Sequence, residues 1–279
     1  MTVREAVAWA RRLLQGAGVT EAHLEAELLL AHALGLSRAQ LYARLHTPLP
    51  SEAFHRFLCL VGRRASREPL AYILGRREFY GLELEVSPVA LIPRQETELL
   101  VELALTWLKR RRGLHWVADV GTGCGAIALA IAYYSPTPVQ VVATDISPSA
   151  LALAAHNARR LGLEGHVHLL LAHLLTPFRL ALHLVVANLP YVPTEELASA
   201  PPELRWEPRQ ALDGGPQGLR VISRLLAQAP SAIRPGGALI LELDPRQAPN
   251  ISHLALTYLP HAHLSFHPPN WPRALLIQT

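Results

Sequence analysis

The sequence predicts an α/β protein: an open, largely parallel sheet flanked by helices, preceded by a small helical bundle and joined to it by a β-hairpin. Three observations predict it. Apolar residues recur at helical spacing through the first 66 residues, residues 79–86 alternate around a glycine, and from Trp116 onward the chain reads strand, glycine-rich turn, helix, strand. With 279 residues, half of them apolar, the chain is long enough for more than one hydrophobic core. The expected division is a helical domain over 1–70, a hairpin linker over 71–92 and the sheet domain over 93–279.

Taken in order, Val3, Ala6, Val7, Ala10, Leu13 and Leu14 mark a first helix. Thr20 is expected to cap a second from Glu21 to Leu34, stopped by Gly35; Ser37 caps a segment through Leu45 and Ser51 one running to about Ala65. Phe79-Tyr80-Gly81-Leu82-Glu83-Leu84-Glu85-Val86 gives the hairpin, and Glu96 to Leu108 a further helix. Trp116–Val120 is an apolar strand carrying one acid, Asp119. It leads through Gly121-Thr122-Gly123-Cys124-Gly125 into an apolar helix over Ala126–Ala132. Val139–Thr144 is a second strand ending in Asp145, and Val185–Ala187 a third that delivers Asn188.

Composition narrows the function classes. Lys and Arg total 26 against 22 Asp and Glu, a net charge of only +4 with no block of the kind that tracks a phosphate backbone, so no direct nucleic-acid partner is expected. The run Lys109-Arg110-Arg111-Arg112 follows a helical pattern and is a solvated helix end that complements the dipole. Cys59 and Cys124 fall in different predicted domains, which argues against a disulfide framework and for a reducing compartment. The 14 histidines are scattered, His261 and His263 lie beside Pro260 in an irregular tail, and no metal is expected. There is no signal-peptide pattern and no apolar run near the ~20 residues needed to cross a bilayer. A soluble, cytoplasmic monomer is the expectation.

Chemistry concentrates at two turns. Glycines at 121, 123 and 125 let a ligand approach the backbone, and the following helix start offers free N–H groups. Asp145, twenty residues after Gly125, is placed to grip two vicinal ribose hydroxyls. A dinucleotide turn would be Gly-x-Gly-x-x-Gly. This one is Gly-x-Gly-x-Gly, lacks Lys or Arg, and has Asp119 nearby, which suits a nucleoside bearing a sulfonium and an amino-acid tail. At the other turn, Asn188 offers an amide oxygen to an NH₂ group, Pro190 stiffens the bend and Tyr191 supplies a flat face. Alone, Asn188-Leu189-Pro190-Tyr191 is equally a plain proline turn; beside the glycine turn and Asp145 it reads as the seat of a planar amide or an amino-substituted ring.

Asp119-Val120-Gly121-Thr122-Gly123-Cys124-Gly125, Asp145 and Asn188-Leu189-Pro190-Tyr191 together resemble the class I S-adenosylmethionine-dependent methyltransferases that modify a planar nitrogen. Tyr72-Ile73-Leu74-Gly75, Phe79-Tyr80-Gly81, Leu91–Glu98 and Glu207–Gly215 narrow the resemblance to the N5-glutamine methyltransferases of peptide chain release factors, the HemK/PrmC family, over nearly the whole chain. The resemblance implies a Rossmann-like sheet, S-adenosylmethionine as cofactor, and as substrate the glutamine in the Gly-Gly-Gln loop of class 1 release factors, with the N-terminal bundle as recognition module. It also implies that Asp119, Gly121, Thr122, Gly123, Cys124, Gly125, Asp145, Ile146, His173, Leu174 and Asn188 hold the cofactor. Asn188, Leu189, Pro190 and Tyr191 form the catalytic turn, with the Asn188 side chain and the Leu189 carbonyl accepting the two amide hydrogens. Three positions depart from the family pattern: Leu189 stands for a proline, His173 for an acid near the adenine, and His183 for an acid that opens the strand. The alternatives are a ribosomal-protein glutamine methyltransferase, an adenine-N6 methyltransferase of RNA or DNA, and a nucleoside-binding protein without activity.

Overall fold

A computed structural model describes all 279 residues, which cluster into two compact units: Met1–Arg76 with Pro201–Trp206, and Arg77–Ala200 with Glu207–Thr279. The first contains five helices, α1 (Val3–Gly16), α2 (Ala22–Leu34), α3 (Arg38–Tyr42), α4 (Ser51–Ala65) and α5 (Leu70–Leu74). Thr2 opens α1 with a reciprocal capping box to Glu5, and Ser37 opens α3 in the same way with Gln40. Two other starts differ from expectation. Glu21, not Thr20, holds the cap position of α2, and Pro50, not Ser51, precedes α4; neither makes a side-chain cap bond. Packing holds these helices instead: Val7, Ala10 and Leu14 of α1, Leu29 and Leu30 of α2, and Phe57 and Val61 of α4 share one core. Burying such a large apolar side chain stabilises by about 1.5–3 kcal/mol.

The segment Pro201–Trp206 leaves the sheet unit's sequence and joins this bundle. Glu203 Oε1 accepts from Arg64 Nη2 at 3.1 Å and from Arg67 Nε at 2.8 Å, and its Oε2 accepts from Arg67 Nη2 at 2.8 Å. Arg64 is buried and is also held by Glu25; stripped of these carboxylates it would be an uncompensated buried cation.

The second unit opens with a hairpin of β1 (Arg76–Phe79) and β2 (Leu82–Glu85). Its two-residue turn, Tyr80-Gly81, has φ of 49° and 77°, the left-handed pair that matches the twist of the strands. Then come α6 (Glu98–Lys109), β3 (His115–Val120), α7 (Ala126–Tyr134), β4 (Val139–Asp145), α8 (Pro148–Arg160), β5 (Val167–Leu171), β6 (Leu182–Ala187), α9 (Arg220–Ala232), β7 (Ile233–Glu242), α10 (Ala248–Tyr258), β8 (His263–His267) and β9 (Ala274–Gln278). Seven strands form one sheet in the order β5-β4-β3-β6-β7-β9-β8, with the five from β5 to β7 parallel and β9 antiparallel to both neighbours. Ile222, Leu225 and Leu226 of α9 and Ile251 of α10 pack with Val185, Leu239 and Leu275 of the sheet.

The chain runs outward from β3 to β5, then returns to place β6 on the other side of β3, so a topological switch point lies between these two strands. Register decides what emerges there. Val120 pairs with Thr144 on one side and Ala187 on the other, Ala187 pairs with Leu241, and Asp145 pairs with Leu171. Gly121, Asp145, Ala172, Asn188 and Glu242 therefore leave adjacent strands at one edge of the sheet. At the opposite end His183 sits where β6 shifts register, and its Nδ1 accepts the Trp116 N–H at 3.0 Å. His115 is buried beside it, ring centroids 5.1 Å apart, and desolvation lowers the pKa of both.

Candidate active site

At the switch point the sheet unit encloses a cavity of about 660 Å³. Gly121, Thr122, Gly123, Cys124, Asp145, Ile146, His173, Leu174, Asn188, Leu189 and Pro190 all line it. Of the residues singled out from sequence, Asp119, Gly125 and Tyr191 do not.

The glycine turn is built around two close approaches. Gly125, at φ 91°, precedes α7, and a Cβ there would meet Leu129 Cδ1 at 3.0 Å and Ala154 Cβ at 3.2 Å. Gly121, at φ 76°, faces Leu189 Cδ2, which would lie 3.1 Å from an added Cβ. Asp119 braces this turn from behind: fully buried, its Oδ2 accepts the Thr122 hydroxyl at 2.6 Å and the Ala128 N–H at 3.0 Å. Burial pushes its pKa up from 3.8 to about 7, against the pull of those two bonds. Burial also raises the Cys124 thiol to about 12, so it stays protonated.

Asp145 is fixed by the turn it serves. Its Oδ2 accepts the Gly123 N–H at 3.0 Å and its Oδ1 the Ser147 N–H at 2.9 Å, leaving further lone pairs on each oxygen. Ala172, His173 and Leu174 follow β5 alongside it. Leu174 is buried and held at φ 54°, a left-handed conformation that a non-glycine residue keeps only when its surroundings impose it.

On the other side of β3, Asn188 Nδ2 donates to Thr97 Oγ1 at 2.9 Å, and Thr97 donates to Glu242 Oε2 at 2.6 Å. The Tyr191 hydroxyl donates to Glu242 Oε1 at 3.0 Å. Glu242 is only 3% exposed, and burial raises its pKa despite these donors. Burial foremost, with the charge of Glu242, also raises that of Tyr191. The Leu189 side chain is buried against Gly121, while its carbonyl takes no hydrogen bond from the protein. The turn is clamped by two later segments: Val192 N–H donates to Leu212 O and Gly214 N–H to Val192 O, and from beyond β7 Gln247 Nε2 donates to Tyr191 O at 2.8 Å.

Several cavity residues had no individual role in the sequence reading. Arg94 lines the wall and is held by the buried Glu207, which also accepts the Ile92 N–H at 3.1 Å. Arg220 and Arg224 of α9 reach the same cavity. Behind the cavity wall, Glu242 carried a weak signal, an acid inside the apolar run Ala238–Leu243. No three His, Cys, Asp or Glu side chains gather so as to hold a metal, and no helix is long and apolar enough to cross a membrane.

Comparison with known proteins matches residues 5–75 to the PrmC N-terminal domain and residues 99–203 to the ribosomal protein L11 methyltransferase (PrmA) model. The release factor glutamine methyltransferase of Moorella thermoacetica is 47% identical over 91% of this chain and 90% of its own length. That of Geobacter sulfurreducens is 44% identical over 90% and 87%. Among solved structures, the hMettl16 catalytic domain in complex with MAT2A 3'UTR hairpin 6 covers 78% of this chain and 81% of its own at TM-score 0.57, with 15% identity, a likeness of fold alone.

Proposed function

The chain belongs to the release factor glutamine methyltransferases, and from that premise we propose that it transfers a methyl group from S-adenosylmethionine to the side-chain amide nitrogen of the glutamine in the Gly-Gly-Gln loop of class 1 release factors, in the cytoplasm. The observation that carries this reading is the register that sets the glycine turn, Asp145 and Asn188 side by side around one cavity.

The residues present fit the cofactor. An added Cβ at Gly123 would meet nothing nearer than 3.8 Å, so the backbone there is open; Asp145 presents a carboxylate suited to vicinal hydroxyls; and the turn has no cation to demand a phosphate. Gly121 to Cys124, Asp145, Ile146, His173 and Leu174 would contact it, with Asp119 and Gly125 shaping the turn behind. S-adenosylmethionine supplies a methyl group already activated on a sulfonium.

The chain's own task is to orient a poor nucleophile, because an amide nitrogen shares its lone pair with the carbonyl. The Asn188 Oδ1 and the Leu189 carbonyl would accept the two amide hydrogens, fixing the nitrogen and its plane. Holding a near-attack geometry of this kind removes several kcal/mol from a barrier. Tyr191, its hydroxyl tied to Glu242, stiffens the turn, and Pro190 fixes its direction. The helical bundle is a compact unit of its own, which suits a role in recognising the rest of the release factor.

Incubation with labelled S-adenosylmethionine tests the reading. Label should appear on an intact class 1 release factor and not on one whose loop glutamine is replaced. Label on ribosomal protein or total RNA alone, or on nothing, would overturn it.

A further inference from the structure

Asn188 is useful to an amide substrate only in one of its two flip states. With Oδ1 facing the substrate it accepts an N–H; turned over, it presents its own NH₂ to another NH₂ and repels it. The backbone does not choose between these states, since the two ends of the amide have nearly the same shape. The choice is made by the group on the far side of the amide, and here that group is the Thr97 hydroxyl, 2.9 Å from Nδ2.

A hydroxyl by itself is ambivalent, because it can donate or accept. Toward Asn188, Thr97 is not free to choose. Its single proton is directed to Glu242 Oε2 at 2.6 Å, and Tyr191 gives its own proton to the other carboxylate oxygen at 3.0 Å. Each oxygen of Glu242 thus receives one donor. With its proton committed, Thr97 can only accept from Asn188, which forces Nδ2 toward Thr97 and Oδ1 away from it. Thr97 and Glu242 are both buried, so water does not compete for these positions.

We propose that Glu242, acting through Thr97, is the positioning residue that sets the flip state of Asn188 and so determines that this site presents an acceptor to the substrate nitrogen. The inference rests on the glutamine methyltransferase reading of the cavity. Glu242 touches no substrate; it fixes a direction of hydrogen bonding that passes from a buried carboxylate, through one hydroxyl, to the catalytic amide. Three elements distant in sequence supply the parts: the turn before α6, the end of β6 and the end of β7.

The test compares Thr97→Val, Thr97→Ser and Glu242→Gln in the full chain, with labelled S-adenosylmethionine and a class 1 release factor. Thr97→Val keeps shape and removes the hydroxyl. Glu242→Gln keeps shape but adds a donor, which lets Thr97 turn its proton toward Asn188 and admits the wrong flip. Both should lower kcat at least about tenfold while KM for the release factor and cofactor affinity by calorimetry stay within about threefold, and Thr97→Ser should recover most of what Thr97→Val loses. A merely structural role would move cofactor affinity and kcat together and would not discriminate serine from valine. Melting temperatures identify a variant that fails to fold, in which case the other isosteric change decides. If wild type labels the factor and Thr97→Val or Glu242→Gln turns over at more than half its rate, this inference alone is overturned. If wild type labels no release factor, the functional reading falls and takes the inference with it.

Discussion

Replacing Asp119 by asparagine separates two roles that a buried acid beside a ligand turn could have, a brace for the backbone or a charge for the ligand. Its carboxyl is raised from 3.8 to about 7, first by burial and then by the charge of Asp145, with Thr122 and Ala128 pulling the other way. A carboxyl with a raised folded-state pKa binds its proton more tightly in the folded chain than in the unfolded one. Stability is therefore highest where both states are protonated and declines as pH rises from the unfolded value toward the folded one, levelling off above about 7. The interval from 3.8 to about 7 corresponds to about 4 kcal/mol. In Asp119→Asn the amide oxygen can keep both existing bonds, while its NH₂ takes the place of Oδ1, which has no partner, and costs about 1–3 kcal/mol as unsatisfied donors. The variant is thus expected to exceed wild type by about 1–3 kcal/mol near pH 8 and to lose that advantage in acid. Urea midpoints across the range measure the difference. Selective ¹³C-carboxyl labelling reads the acid directly, because the chain has only four aspartates, Asp119, Asp145, Asp213 and Asp244. Four signals all titrating below about pH 5, or a variant whose advantage does not grow with pH, would refute the reasoning.

Asn188→Ala is expected to reduce turnover at least about a hundredfold and leave cofactor affinity within a few fold, read by single-turnover labelling and calorimetry; near-normal turnover would contradict the orienting role. Leu189→Pro keeps the carbonyl but loses part of a buried side chain against Gly121, so it should cost about 1–2 kcal/mol of stability in a melting experiment while turnover stays within about threefold. His115 and His183 both have pKa values lowered from 6.5, so the unfolded chain takes up their protons first. Their contribution is fully present above that pH and is lost as pH falls from it toward the folded values, at no more than about 1.4 kcal/mol per pH unit for each histidine. The acid loss of stability should flatten in His115→Gln/His183→Gln; an unchanged slope between about pH 7 and 5 would count against it.

The donor half of the site was legible because its residues are local: strand, glycine turn and helix follow one another within 115–134, and Asp145 closes the next apolar run. Asn188 announced itself for the same reason. The acceptor's support was not legible, since Thr97 and Glu242 are 145 residues apart and meet only through the sheet order. Nor could periodicity show that Pro201–Trp206 leaves its neighbours to join the bundle, because a short segment rich in proline and charge has no repeat to read. The caps expected at Thr20 and Ser51 failed because core packing, rather than a terminal side chain, fixes where α2 and α4 begin. The hydroxyl of Tyr191 is engaged by Glu242, a partner its neighbours in sequence do not reveal.

The alignment of Val120 with both Thr144 and Ala187 gives the reaction a ruler. Donor and acceptor turns stand on strands spaced at about 4.8 Å, and that spacing belongs to backbone hydrogen bonding rather than to any side chain. Drift among relatives can therefore exchange loop residues, even a proline for Leu189, without altering how far apart the two reactants are held. A slip of one residue between β3 and β6 would instead turn every side chain to the opposite face and dismantle both halves at once.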